Sequence, residues 1–259
     1  PNATLDRITG TSAYTSKRDL PADLHAALSK RGIHMMVYLN LRLDPEGHCL
    51  PEIRRALGPC PLEDATIEQV AAVYREFAER YAERVKGWWI DGVWTNYFRR
   101  RPIEWCGRWF AHLAESLRAG NPDAAVAFNP GVANALSRYS EQNDFLAGEA
   151  GDLRTPPDER FFDGAQWHVW PHLGRWWGSG GMQFNDHELC DWAKRVVAGG
   201  GVMMFDVGTR GVTKSGRHDS EPVREGPVGA IDPRQVEQIS RVADAIRNTS
   251  IPTQGQPER

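Results

Sequence analysis

The spacing of apolar and polar positions sorts this chain into helices and strands before the chemistry of any residue is considered. Ile67, Val70, Ala71, Tyr74, Phe77, Ala78, Tyr81 and Val85 recur at i, i+3, i+4 and i+7, and Arg75, Glu76, Glu79, Arg80, Glu83 and Arg84 fall between them. That is an amphipathic helix with a solvated face, and Thr66-Ile67-Glu68-Gln69 predicts a capping box at its start. Four more helices are expected. Asp19 caps one that has Pro21 in its first turn, Leu24, Ala27 and Leu28 on one face and Gly32 as its stop. Pro102 sits in the first turn of another, which carries Ile103, Cys106, Phe110, Leu113 and Leu117 and ends at Gly120. Asn185 and Glu188 open a third with Leu189, Trp192, Ala193, Val196 and Val197, and Asp232, Pro233 and Gln235 a fourth with Val236, Ile239, Val242 and Ile246 on one side.

Short apolar runs lie between these helices. Ile33 to Leu39 is rich in β-formers and bounded by Gly32 and Asn40, which predicts a buried strand, with His34 as a core or barrel-end histidine. Trp88 to Trp94, Ala124 to Phe128 and Val202 to Val207 read the same way. A weaker strand over Asp144 to Gly148 delivers Glu149, and the aromatic run Gly164 to Trp170 is another. Residues 1–18 are polar and turn-rich and predict a loop. Residues 41–61, with four prolines and two glycines, predict a long one, a length that usually carries function. Strands alternating with helices imply parallel βαβ units. The expected fold class is α/β, a (β/α)8 TIM-like barrel. Six strands against the required eight mean that two are unrecognised or that the barrel is incomplete. Residues 1–250 are expected to form a single domain and 251–259 a C-terminal tail.

Composition narrows the function classes. A net charge of −3 and a pI near 6.3 leave no basic footprint for nucleic acid. No apolar run is long enough to span a bilayer, and the mean hydropathy is −0.53, so no membrane partner is expected. Ten tryptophans are the unusual figure: most belong in a core, but two or three in a cleft suffice to stack on sugar rings. Cys49, Cys60, Cys106 and Cys190 lack metal-ligand spacing, so neither a metal nor a cofactor is expected, and Cys49 and Cys60 could be bridged or reduced. Asn2-Ala3-Thr4 and Asn248-Thr249-Ser250 fit the glycosylation pattern. The chain begins at Pro1 without Met, a basic n-region or an apolar h-region, and reads as cut rather than begun.

Candidate chemistry collects where strands end: Asn40, Asp91, Asn129, Glu149, His168 and Asp206. Asp91 stands out. It follows Trp88-Trp89-Ile90 and precedes Gly92, and a carboxylate among tryptophans is costly to keep charged unless something pairs with it. The plainer reading is an Asp-Gly turn after a core strand. In a β/α barrel, however, the C-terminal strand ends carry the active site. Asp91 and Glu149 together suit glycoside hydrolysis, one carboxyl as nucleophile or base and the other as acid; acidic strand ends also bind Mg²⁺ in other α/β enzymes. No Ser-His-Asp signature, phosphate-binding loop or dinucleotide fingerprint is present.

From Arg18 onward the chain resembles the α-L-fucosidases of glycoside hydrolase family 29. Arg18-Asp19-Leu20, then Gly32 before a strand ending Tyr38-Leu39-Asn40, resembles the family's "rD…Gl.fGlYyS" block. Trp89-Ile90-Asp91-Gly92 matches "lWfDg", whose Asp is the family's nucleophile. Asp144-Phe145-Leu146-Ala147-Gly148-Glu149 is similar to a block whose Glu is the acid/base in some members. Trp176-Trp177-Gly178, Ala198 to Val207 and Gly229-Ala230-Ile231 resemble three later blocks in the same order. The resemblance implies a retaining exo-glycosidase acting on a terminal sugar of a glycan through a glycosyl-enzyme intermediate. Asp91 would be the nucleophile and Glu149 the acid/base, with Tyr38, Trp89, Trp94, Asn129, His168 and Trp177 against the sugar; retention places the two carboxyls about 5–5.5 Å apart. It is compatible with a secreted, periplasmic or lysosomal location. The departures are specific. The "KHHDGF" block would lie before Pro1, which matches two missing strands; Asn129-Pro130-Gly131 lacks the Arg of "NDR"; Asp206 stands for the Asn of "LLN"; His168 lies near the Glu of "wE"; and a C-terminal β-sandwich has no room. Another glycosidase specificity, or a non-catalytic carbohydrate-binding relative, therefore stays open beside the fucosidase reading, and the sequence gives no oligomeric state.

Overall fold

The computed structural model describes residues 1–40, 64–93, 102–132, 136–211 and 221–248. Trp94, the expected loop at 41–61 with Cys49 and Cys60, and the expected tail at 251–259 lie outside them. The chain forms two compact units, 1–131 with 138–147 and 132–137 with 148–259.

In the first unit, β1 (Met35–Asn40), β2 (Val85–Asp91) and β3 (Ala125–Phe128) make a parallel sheet in the order β1-β2-β3. Two long helices supply its core, α3 (Asp64–Tyr81) and α4 (Ile103–Leu117). Val70, Tyr74 and Ala78 of α3 and Phe110, Leu113 and Leu117 of α4 bury together with Trp88, Ile90, Val126 and Phe128 of the strands. The helix stripe read from the sequence is thus the packed face up to Tyr81, while Val85 falls instead at the start of β2. Gly120 lies where these helices approach: a Cβ there would come within 2.1 Å of Ala78 O. Helix α2 (Leu20–Ser29) starts as expected, with Asp19 accepting from Ala22 N, and Ile33 N bonds back to Leu28 O past Gly32.

Five expectations in this unit change. Residues 1–18 include a helix, α1 (Ala3–Thr9), because Asn2 caps it by accepting from Leu5 N while Glu76 accepts from the N–H groups of Ala3 and Thr4. Asn2 is fully buried and its Nδ2 donates to Val73 O, so this glycosylation pattern is closed off by packing. Helix α3 begins at Asp64, which puts Thr66 inside it, buried, instead of at a capping box. Strand β1 is buried on one side alone: Met35 is covered while Met36 and Tyr38 are exposed, and His34 precedes the strand in an exposed position.

In the second unit, β4 (Glu149–Ala150), β7 (His168–Pro171) and β8 (Val202–Met203) form a second parallel sheet in the order β4-β7-β8. The run expected as one strand from Gly164 is divided. β5 (Phe161–Phe162) and β6 (Ala165–Gln166) form a hairpin through Asp163-Gly164, both at positive φ, and β7 follows separately. The strand expected over Asp144 to Gly148 instead starts at Glu149. Helix α5 (Asp186–Ala198) is capped by Asn185, which accepts from Glu188 N, and buries Leu189, Trp192, Ala193 and Val196. Helix α6 (Pro233–Arg247) buries Gln235, Gln238 and Val242, leaving Val236 exposed. Its inner face is polar because Gln235 Nε2 donates to Ser179 O and Gly181 O while its Oε1 accepts from Gly208 N. Among the described residues the fold is mixed α/β with two three-stranded parallel sheets and a hairpin, without one closed eight-stranded ring. No helix of the described residues is long and apolar enough to cross a membrane.

Gln235→Leu is expected to lower stability by about 3 kcal/mol or more, since it strands one buried N–H and two carbonyls. Val236→Ala on the exposed side should change it by less than about 0.5 kcal/mol. Urea unfolding of both variants checks the contrast.

Candidate active site

Strand alternation builds the first part of the site. In the parallel register Tyr38 lies beside Trp89, Asn40 beside Asp91, and Trp89 beside Ala127. Asn129 N bonds to Ile90 O and carries that register one residue past β3. Asn40, Asp91 and Asn129 therefore occupy one rung on one face, opposite the face that Trp88, Ile90 and Phe128 bury. Gly92, at φ +82, turns the chain immediately after Asp91.

Asp91 is buried, and both its oxygens are engaged. Tyr38 Oη donates to Oδ2 at 2.6 Å and Asn129 Nδ2 donates to Oδ1 at 3.0 Å. Asn40 Nδ2 donates to Tyr38 Oη at 3.0 Å and also lies 3.5 Å from Asp91 Oδ2. The Tyr38 and Trp89 rings stack at 5.3 Å with 18° between planes; Trp89 is buried, and its Nε1 donates to Ala147 O. Tyr74, on α3, lies behind this row. Burial pushes its phenol well above the ordinary tyrosine value, and Tyr38 and Asp91 add to the shift. The result is a carboxylate fixed at a strand end by two neutral donors, below a half-exposed aromatic ring.

The other predicted residues lie in the second unit. Glu149 is the half-buried first residue of β4, and it is presented by Gly148, at φ +72, where a Cβ would come within 2.4 Å of His168 O. His168 is buried at the start of β7. Trp177 lines a cleft of about 630 Å³ together with His172, Arg175, Trp176, Gln183 and Gly151. The loop carrying these tryptophans is tied down. Ser179 Oγ accepts from Trp176 N and donates to Trp176 O, and Gly178 N donates to Asp206 Oδ2 at 2.7 Å. His172 Nδ1 lies 2.7 Å from Gly174 O. A carbonyl can only accept, so Nδ1 carries the proton and Nε2 is the acceptor of the neutral ring. Burial raises the Asp206 carboxyl to about 6, partly offset by the Gly178 N–H.

The structure thus joins Tyr38, Asp91, Asn129 and Trp89 in one unit and places Glu149, His168 and Trp177 in the other; Trp94 is outside the described residues. Sequence reasoning missed His172, Arg175 and Gln183 as cleft residues. The one available signal was the aromatic cluster Trp170, Trp176 and Trp177, which brackets two of them.

No protein-family model matches the sequence, and no curated protein matches it. Solved structures do. The chain is similar to the endo-fucoidan hydrolase MfFcnA4 from glycoside hydrolase family 107, with TM-score 0.64 and 17% identity over 84% of this chain and 39% of that one. It is similar to the endo-fucoidan hydrolase P5AFcnA of the same family, at TM-score 0.60 and 16% identity over 92% and 72%. It is also similar to the α-L-fucosidase AlfC from Lactobacillus casei, at TM-score 0.57 and 14% identity over 95% and 78%. The chain spans 39% to 47% of the length of MfFcnA4 and the related MfFcnA9. At these identities the likeness is one of fold: a mixed α/β fold similar to that of glycoside hydrolases, one that does not single out family 29.

The raised Asp206 carboxyl makes a stability prediction. The folded state holds this proton up to about pH 6, whereas the unfolded chain releases it near 3.8. The stabilising contribution is therefore complete below about pH 4 and is lost as pH rises through 6. Asp206→Asn, which keeps an oxygen for Gly178 N, should be more stable than the parent above pH 6 by an amount on the order of 2 kcal/mol and equal to it near pH 4. Thermal unfolding across pH 4–7.5 measures the difference.

Proposed function

We propose that this chain is a glycoside hydrolase acting on fucose-containing glycans by a retaining, two-carboxylate mechanism. The observation that carries the reading is Asp91, buried at the C-terminal end of a parallel strand, its oxygens held by Tyr38 and Asn129 beside the stacked Tyr38–Trp89 pair. The fold similarity to family 107 endo-fucoidan hydrolases and to an α-L-fucosidase supports the same substrate class. Parallel strands alternating with helices support a (β/α)8-type scaffold spanning residues 1–250.

Asp91 attacks the anomeric carbon and forms an ester bond to the sugar as the glycosidic C–O bond breaks, and Glu149 gives its proton to the departing oxygen. In the second step Glu149 takes a proton from water, the hydroxide oxygen bonds to the anomeric carbon, and the Asp91 ester is released with net retention. Tyr38 and Asn129 orient the nucleophile; Trp94, His168 and Trp177 are assigned to the sugar site. A second reading, cleavage inside a polymer instead of at its end, is favoured by the higher TM-scores of the endo-acting hydrolases. The size distribution of products from a fucose-containing polysaccharide separates the two.

Asp91→Gly should lose turnover of a 4-nitrophenyl glycoside, from a panel that includes the α-L-fucoside, by about ten-thousandfold. Azide should restore part of that activity as a glycosyl azide. Unchanged turnover in this variant sinks the nucleophile assignment, and a panel that shows binding without any hydrolysis favours a carbohydrate-binding relative.

Glu149→Gln should lower kcat/KM for glycosides with poor leaving groups by about a hundredfold or more while sparing kcat/KM for activated aryl glycosides, whose kcat falls instead because the second step has lost its base. Equal losses for both leaving-group classes contradict that role.

A further inference from the structure

The geometry points to Asp206 as a latch on the loop that carries Trp176 and Trp177, shut while its carboxyl holds a proton and released as the carboxyl ionises. The latch is separate from the proposed function and does not depend on it.

The ladder between β7 and β8 runs on past Met203. Met204 N bonds to Val169 O, Asp206 N to Pro171 O, and Leu173 N to Asp206 O. Asp206 is thereby paired with His172, on the face that Trp170 and Glu149 share. The loop leaves β7 at Leu173, and its far end has three anchors. Ser179 O accepts from Gln235 Nε2, Gly180 N donates to Glu221 O, and Gly181 N donates to Asp232 Oδ2. Between the two ends Trp176 bonds to Ser179 within the loop itself, and Gly178, at φ +66, brings its N–H to Asp206 Oδ2 at 2.7 Å. Asp206 thus holds the stretch in which the two tryptophans stand. They line the cleft of about 630 Å³, so the latch sets whether that wall is in place.

A carboxylate can accept about four hydrogen bonds. Among the described residues Gly178 N is the one donor to the Asp206 carboxyl, which is half-buried. Its ionic form is therefore poorly compensated while the loop is shut, and lifting the loop lets water reach it. The titratable and charged groups around it are His172 on the adjacent rung, Glu149 on the same face, Arg175 in the loop, and Glu221, Asp232 and Arg234 around the start of α6. Helix α5 packs on the opposite face, where Trp192 meets Phe205. Burial raises the Asp206 carboxyl to about 6, and the Gly178 N–H offsets only part of the rise. The far anchor does not follow it. Burial opposes ionisation of Asp232 as well, but Arg234 and the Gly181 N–H outweigh it and hold that carboxyl below its ordinary value.

The direction of the switch follows from proton linkage. With the loop open, the Asp206 carboxyl returns to its ordinary value of 3.8. Below about pH 4 both forms hold the proton and the loop is at its tightest. Between about pH 4 and 6 the open form ionises first, so opening becomes about tenfold easier per pH unit. Above about pH 6 both forms are ionised and the gain levels off at about a hundredfold.

Amide hydrogen exchange on the whole chain, read residue by residue by NMR and divided by the intrinsic rate at each pH, measures the opening. Protection of Gly178 N should fall by about a hundredfold from pH 4 to pH 7.5, mostly below pH 6, while Trp170 N and Met204 N in the neighbouring ladder keep theirs. Asp206→Asn leaves an oxygen for Gly178 N and nothing to titrate, so its Gly178 protection should stay level across that range. Protection of Gly178 that does not change with pH in the parent overturns the latch, as does an equal fall in Asp206→Asn. An equal fall at Trp170 and Met204 overturns it too, because the whole unit is then opening. The NMR titration of the Asp206 carboxyl carbon in the parent is a check that needs no variant: a midpoint near 6 supports the latch and one near 3.8 overturns it.

Discussion

The two-residue alternation of β2 is the constraint on which the first unit depends. Trp88 and Ile90 must face helices α3 and α4 to be buried, so Trp89 and Asp91 must face the other way. The neighbouring strands follow the same parity. Because they are parallel and in register, Tyr38 and Asn40 from β1 and the continuation of β3 into Asn129 reach the same face as Asp91. The hydrophobic packing behind the sheet therefore fixes the polar row in front of it. A slip of one residue would bury Asp91 against Phe110 and Leu113 and expose Trp88, which neither side could tolerate.

The second unit uses a different device, buried amides that hold loops. Gln235 satisfies Gly208 N, Ser179 O and Gly181 O, and Gln238 donates to Phe184 O and Asp186 Oδ1. In the first unit Asn121 and Asn143 do the same for Val85 O and Phe128. Each amide replaces the backbone partners that a regular strand or helix would have supplied. The strands of this unit are short, β4 and β8 having two residues each. The rigidity needed to present Trp176 and Trp177 comes from side-chain hydrogen bonds more than from secondary structure.

Much of the architecture was legible in the chain. Helices α3 to α6 follow from apolar residues at helical spacing, α2, α5 and α6 also from their caps Asp19, Asn185 and Asp232, and β2 from the apolar run before Asp91-Gly92, although it spans Val85–Asp91 instead of running from Trp88 to Trp94. Much of what misled is a feature that distant residues decide. The segment at 1–18 looks too polar for a helix until Asn2 and Glu76 satisfy its first turn. Strand β1 looks buried because its residues are apolar, but among the described residues it has one paired neighbour, and it covers one face alone. Helix α6 carries an aliphatic stripe, yet glutamines occupy much of its inner face because the loop carbonyls above them need donors.

The candidate site divides along the same line. The sequence by itself determined that Asp91 lies near the C-terminal end of a strand, that an Asp-Gly turn is available there and that aromatic residues surround it, because turn chemistry and apolar runs are local properties. Only the tertiary structure decided that Tyr38 and Asn129 donate to its two oxygens and that Asn40 backs Tyr38, since those partners lie 38 to 53 residues away along the chain. The cleft of His172, Arg175 and Trp177 is likewise a product of the fold. It exists because Gly174, Ser179 and Asp206 close a loop back on β7, and no pattern along the chain records where that loop comes to rest.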